Sequence, residues 1–261
     1  MRSLAMKRYH RAAPLILLFA LLAGLTAAAA IAQTQSADAT VAMSEDDVRE
    51  GQRLFAANCA TCHGMDGQGQ TGVAPSLVGV GAAAVDFQVG TGRMPMQASG
   101  PQAPAKPVQF TQDQIYQLAA WVATLGPGPA IPTDDQVDPA NGDPAVGMAL
   151  FRTNCAMCHG SVGGGGALTD GKYAPGLYET TPRHIYEAML TGPQSMPVFN
   201  DANISSQGKR DIIAYLYAQR DGSPGGSDLG SIGPVSEGFW AWLLGMGLIV
   251  GITVWIGARS S

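Results

Sequence analysis

The seven letters NCATCHG at residues 58–64 return as NCAMCHG at 154–160, and these two stretches hold all four cysteines of a 261-residue chain. Whatever this sequence folds into must therefore build one local setting for Cys-x-x-Cys-His twice. The likeness runs further: EGQRLFAANCATCHG (50–64) matches VGMALFRTNCAMCHG (146–160), with Gly51/Gly147, Phe55/Phe151 and Asn58/Asn154 at an offset of 96. A Gly-rich loop follows and is four residues longer in the second copy. APSL (74–77) then meets APGL (174–177), and Thr91-Gly92 meets Thr191-Gly192, at an offset of 100. A Met-Pro pair comes next in both, Met94-Pro95 and Met196-Pro197. Each copy closes on a helical pattern, TQDQIYQLAAWVATL (111–125) and SSQGKRDIIAYLYAQR (205–220). There Ile115, Leu118, Trp121, Val122 and Leu125 fall at helix spacing, as do Ile212, Ile213, Leu216 and Tyr217.

C-x-x-C-H is the attachment signal of c-type haem. Two thiols three apart on a helical turn can each bond one vinyl group of a single porphyrin, and the adjacent imidazole then faces the iron. The motif predicts two covalently bound haem c groups, held by Cys59 and Cys62 and by Cys155 and Cys158, with His63 and His159 as proximal iron ligands. A zinc site would need its cysteine pairs far closer than 92 residues. A thioredoxin-like dithiol would sit in a βαβ setting, and no strand alternation accompanies either pair. Structural disulfides would not call for His after both. Haem also accounts for a composition rich in Gly and Ala and modest in Leu, Ile and Phe, because a buried porphyrin supplies apolar surface of its own. A thioether sulfur opposite His would complete each iron. Met196 is the candidate in the second copy; GRMPM in the first offers Met94 or Met96, and alignment on Met-Pro favours Met94. Pro75 and Pro175 are expected beside the proximal imidazoles, each carbonyl accepting a ring N–H. His184, in TPRHIYEAML, is expected as an exposed helix residue.

Residues 14–32 are 19 uncharged residues behind a basic head, and Ala30-Ile31-Ala32 resembles a cleavage site. Residues 1–32 therefore read as a signal peptide or an N-terminal membrane anchor. The run 239–258 is 20 residues without a charge, with Trp240, Trp242 and Trp255 as interfacial anchors, and reads as a transmembrane helix. Arg259 and the basic cluster before residue 14 place both ends in the cytoplasm and the haem-bearing part on the extracytoplasmic side. That part carries all 20 acidic residues against ten basic ones, a net of −10, which excludes nucleic acid and suits a basic or neutral partner. The expected architecture is all-α. It comprises a first class I cytochrome c domain at 45–125, a Pro/Gly/Asp linker at 126–144, a second such domain at 145–220, a tether at 221–238 and the membrane helix. The stretch 97–107, present in the first copy alone, reads as a surface insertion, and 221–234 as flexible.

Two C-x-x-C-H segments with APSL/APGL and GRMPM/SMP, set between basic-flanked apolar segments, resemble the dihaem cytochrome c subunit of actinobacterial quinol–cytochrome c reductase. The resemblance covers nearly the whole chain. It implies a subunit of a respiratory menaquinol–cytochrome c reductase, a translocase, working with cytochrome b and Rieske iron–sulfur subunits. Electrons would pass from the Rieske protein through two haems to a haem-copper oxidase in the same supercomplex, and catalysis would belong to the assembly. Two other functions compete: a free-standing, membrane-tethered dihaem carrier, and a dihaem peroxidase. The peroxidase needs an open iron, which the two Met-Pro pairs oppose.

Overall fold

The computed structural model describes residues 43–98, 100–222 and 234–259. The apolar run at 14–32 and residues 223–233 of the expected tether lie outside the described residues. Helix α1 (Glu45–Asn58) starts at Ser44, whose hydroxyl accepts from the Asp47 amide while the Asp47 carboxylate reaches back, a capping box that satisfies two orphan donors. It ends at Cys59, and the single turn α2 (Ala60–His63) follows. Helix α3 (Ala82–Gly90) and helix α4 (Gln112–Ala123) complete the first set, and Thr111 caps α4 with a second capping box. The second set repeats the order. A short α5 (Asp134–Val137) leads to α6 (Pro144–Asn154), capped by Asp143 with Pro144 in its first turn, and then to the turn α7 (Ala156–His159). Helix α8 (Pro182–Thr191) starts at Thr181, and α9 (Ser206–Asp221) at Ser205. A two-residue antiparallel pair, β1 (Gly166–Ala167) with β2 (Tyr173–Ala174), braces the loop that is longer in the second copy.

In each set the first and last helices cross at a glycine. A Cβ at Gly51 would fall within the Gln117 carbonyl, and one at Gly147 within the Asp211 carbonyl, so the backbones meet with no side chain between them. Four residues on from each glycine an aromatic ring seals the crossing. Phe55 packs on Trp121 with centroids 4.1 Å apart, and Phe151 on Tyr215 at 5.5 Å. Around these pairs lie two separate apolar cores. One is built from Phe55, Val85, Val89, Ile115, Leu118 and Trp121, the other from Phe151, Ile185, Met189, Ile212, Ile213 and Leu216.

The segments between the sets are pinned. Ile131 is buried in the first core and Val137 in the second, and the Pro129 carbonyl accepts from the Ala83 amide. The 97–107 stretch does more than a surface insertion would. Gln102 exchanges two 2.9 Å hydrogen bonds with the Tyr173 backbone, the Ala103 amide donates to Gln194 Oε1, and Ala103 is buried. Helix α3 packs against α8. The facing side chains are charged, with Asp86 and Glu187 both buried. Burial, with Asp86 adding to it, pushes the Glu187 carboxyl up to about 10.

Helix α10 (Pro234–Arg259) contains the 22-residue stretch Gly238–Arg259, the one helix among the described residues long and apolar enough to cross a membrane. At about 1.5 Å per residue it spans about 33 Å, enough for the hydrocarbon core. Trp240, Trp242 and Trp255 are exposed on it.

Candidate haem-attachment sites

Both Cys-x-x-Cys-His segments sit where a long helix ends and a single turn begins, with Cys59 and Cys155 at the junctions. The loop after each turn folds back so that a proline carbonyl meets the imidazole. His63 Nδ1 donates to Pro75 O at 2.9 Å and His159 Nδ1 to Pro175 O at 3.0 Å. Glycines with positive φ make this return possible: Gly69 (φ 76°) and Gly165 (φ 86°) lie against the Pro75–Ser76 and Pro175–Gly176 backbone, where a Cβ would not fit. Each also donates its amide to the histidine carbonyl, Gly69 to His63 O and Gly165 to His159 O, both at 2.8 Å. With Nδ1 engaged, Nε2 is the nitrogen left to bind iron, and the bond fixes ring orientation and tautomer. Burial lowers the His159 pKa against the opposing pull of the Pro175 bond, which favours the neutral ring.

None of the four cysteines is paired in a disulfide. Burial first, and the second thiol of the pair after it, pushes Cys59 and Cys155 each up to about 11. Cys59 and Met94 both pack against the first core, and Cys155 and Met196 both belong to the second. Met96 is 39% exposed. Beside Cys158 opens a cleft of about 470 Å³, lined by Ala167, Leu168, Thr169, Lys172 and Ser195. One end is Cys158 and the other is Ser195, the residue before Met196, and the walls are largely apolar. In each copy the donor set, two thiols and an imidazole held through Nδ1 with Nε2 open, fits a covalently bound haem. Lys172 was not legible as a lining residue, because it sits in the loop that is four residues longer in the second copy.

His184 differs from its sequence-based expectation. It is half-buried on α8, edge-on to Phe87 with centroids 6.0 Å apart, and its Nε2 stands 3.0 Å from where a Cβ on Gly90 would lie. Its helix docks on α3, a contact across 98 positions that local periodicity does not report.

Residues 46–122 and 142–216 match the family described as "Cytochrome C oxidase, cbb3-type, subunit III". The helical surroundings of the Cys-x-x-Cys-His motifs are thus those of a c-type cytochrome. The cytochrome bc1 complex cytochrome c subunit of Corynebacterium efficiens is 43% identical, with 92% of this chain and 88% of that one aligned. The subunit of the same description in Corynebacterium diphtheriae is also 43% identical, covering 92% of each, and that of Mycobacterium tuberculosis is 42% identical over 92% and 89%. The chain belongs to this family, the cytochrome c subunits of the cytochrome bc1 complex, with a role in electron transfer. Among solved structures, the Kuenenia stuttgartiensis reducing HAO-like protein complex Kustc0457/Kustc0458 aligns with 68% of this chain and 96% of its own at 14% identity and a TM-score of 0.35, too remote to inform the fold.

Proposed function

We propose that the chain carries two haem c groups in two tandem cytochrome c domains, 45–125 and 145–220, and serves as the electron-delivering arm of its complex. Cys59 and Cys62 bond one haem, Cys155 and Cys158 the other; His63 and His159 are the proximal ligands and Met94 and Met196 the distal ones. When bound, each haem supplies a one-electron iron couple whose potential a thioether ligand raises. The residues of the chain hold and orient it. Pro75 and Pro175 fix the imidazoles, the glycine returns bring those carbonyls close, and the two cores exclude water from the attached face. Met94 is chosen over Met96 because it packs against the first core while Met96 is substantially exposed.

In this reading the chain works beside cytochrome b and Rieske iron–sulfur subunits in a menaquinol-oxidising complex and delivers electrons to a haem-copper oxidase associated with it. Helix α10 anchors it with Arg259 in the cytoplasm and the haem domains outside. The observation that carries the reading is the repeated imidazole–proline contact, 2.9 and 3.0 Å, beside each Cys-x-x-Cys-His.

The test is made on the full-length chain from its native membrane. Acid-acetone treatment is expected to leave two haems per chain on the protein, and haem released by it would refute covalent attachment. The weak far-red sulfur-to-iron band should fall by about half in Met94→Leu and in Met196→Leu and persist whole in Met96→Leu, with one thioether lost per substitution. Cytochrome b and Rieske subunits should co-purify; a free-standing carrier would come away without them.

A further inference from the structure

The seam between α3 and α8 holds a cluster that electron transfer does not use. Asp86 on α3 and His184 and Glu187 on α8 present one ligand atom each, all within 4.8 Å of one another. Spacing of i, i+3 sets His184 and Glu187 on one face of α8, and Gly90 leaves room for the imidazole. Asp86 is 1% exposed and Glu187 fully buried. Of their four carboxylate oxygens only Asp86 Oδ1 has a donor, the Gln112 amide at 3.1 Å; Asp86 Oδ2 and both Glu187 oxygens have none. Burying three acceptors without partners is costly.

Nearby cations do not resolve this. Arg183 is committed to the Tyr116 hydroxyl and to Asp134 at 2.9 Å, and Arg93 lies over the Phe87 ring, 5.0 Å from its centroid. A proton shared between the carboxyls would satisfy two of the three orphan oxygens and leave the third. A metal ion bound through one oxygen of each carboxylate also satisfies two, and it takes the imidazole as well, which a shared proton does not.

We propose that Asp86, His184 and Glu187 form a binding site for one divalent cation of the zinc class, which clamps α3 to α8. One imidazole nitrogen with two carboxylates is a donor set that zinc accepts, with bonds of about 2.0–2.2 Å, and the cluster closes on such an ion after a shift of about an ångström. The nitrogen donor disfavours calcium and magnesium, which take oxygen ligands. The site brings together residues from the two halves of the chain, so the ion is a cross-link that neither half could bind alone. This inference is independent of how many haems the chain carries.

The experiment is elemental analysis of the full chain, isolated in its complex without chelators and normalised to protein, before and after supply of Zn²⁺ alone. One zinc-class ion per chain is expected, removed by a strong chelator and restored by one equivalent of Zn²⁺. Glu187→Gln and His184→Gln should each bring that stoichiometry from one to none while covalent haem staining persists. Should Glu187→Gln fail to accumulate, His184→Gln decides, since that ring is only half-buried. Iron alone in the wild type after Zn²⁺ supply, or zinc retained in full by His184→Gln, would overturn the proposal. The first result would assign the seam to a shared proton, and the second would mark the ion as adventitious.

Discussion

Gly51 and Gly147 occupy the points of closest approach in the two helical sets, and their twin positions make a sharp comparison. An added methyl at either must displace the carbonyl of Gln117 or Asp211, backbone inside a helix that cannot turn aside. Gly51→Ala and Gly147→Ala should each cost about 1–3 kcal/mol through overpacking. Gly164→Ala, in a loop where an added Cβ meets nothing within 4 Å, should be neutral or slightly stabilising. Denaturant midpoints of the full chain would check all three; equal loss at Gly164 would show the crossings are not the sensitive points. The repeat marked Gly51 and Gly147 as equivalent, because a contact at a fixed place in a duplicated unit leaves its residue in both copies. His184 and Asp86 left no such mark. Each has a different residue type at the equivalent place, and the partner that gives each its meaning lies on the other side of the repeat.

Helices were the most legible elements. Ile115, Leu118, Trp121 and Val122 on α4, and Ile212, Ile213 and Leu216 on α9, are all buried, as 3.6-residue periodicity requires of a helix with one face on a core. Thr111 and Ser205 cap α4 and α9 at polar residues directly before those patterns. Irregular segments were less legible, since composition rich in Pro and Gly says that a stretch is not helical but not what it touches. The 97–107 segment shows the difference. Its Gln102 acts as a strand-like partner to Tyr173, beside the loop that lines the cleft at Cys158. Gln102→Ala deletes both bonds and should cost about 1–2 kcal/mol at roughly 1 kcal/mol each. Because the loss is local, it should appear first as faster proteolysis within 97–107 and faster amide exchange at Tyr173, with the global midpoint moving less. Unchanged exchange at Tyr173 would mean the pairing is not held in solution.

At the scale of the whole molecule, the duplication yields two cores that share no residue, joined by a linker pinned to each through Ile131 and Val137. Under the proposed function this arrangement is a relay: two attachment sites in one chain make a path longer than a single haem spans, and the order of sites matters. The relay is testable because the two apolar cores share no residue, so a change at His159 leaves the side chains of the first core in place. His159→Gly removes the second proximal ligand while leaving Phe55, Trp121 and the His63–Pro75 contact untouched. In the intact complex, quinol should still reduce the first haem at its normal rate, while its reoxidation by the oxidase slows to a small fraction of the wild-type rate. Time-resolved spectra of each haem in wild type and variant would read both steps. Reoxidation of the first haem at the normal rate would show that electrons leave from the first domain, and the second would then be a side branch or a docking element.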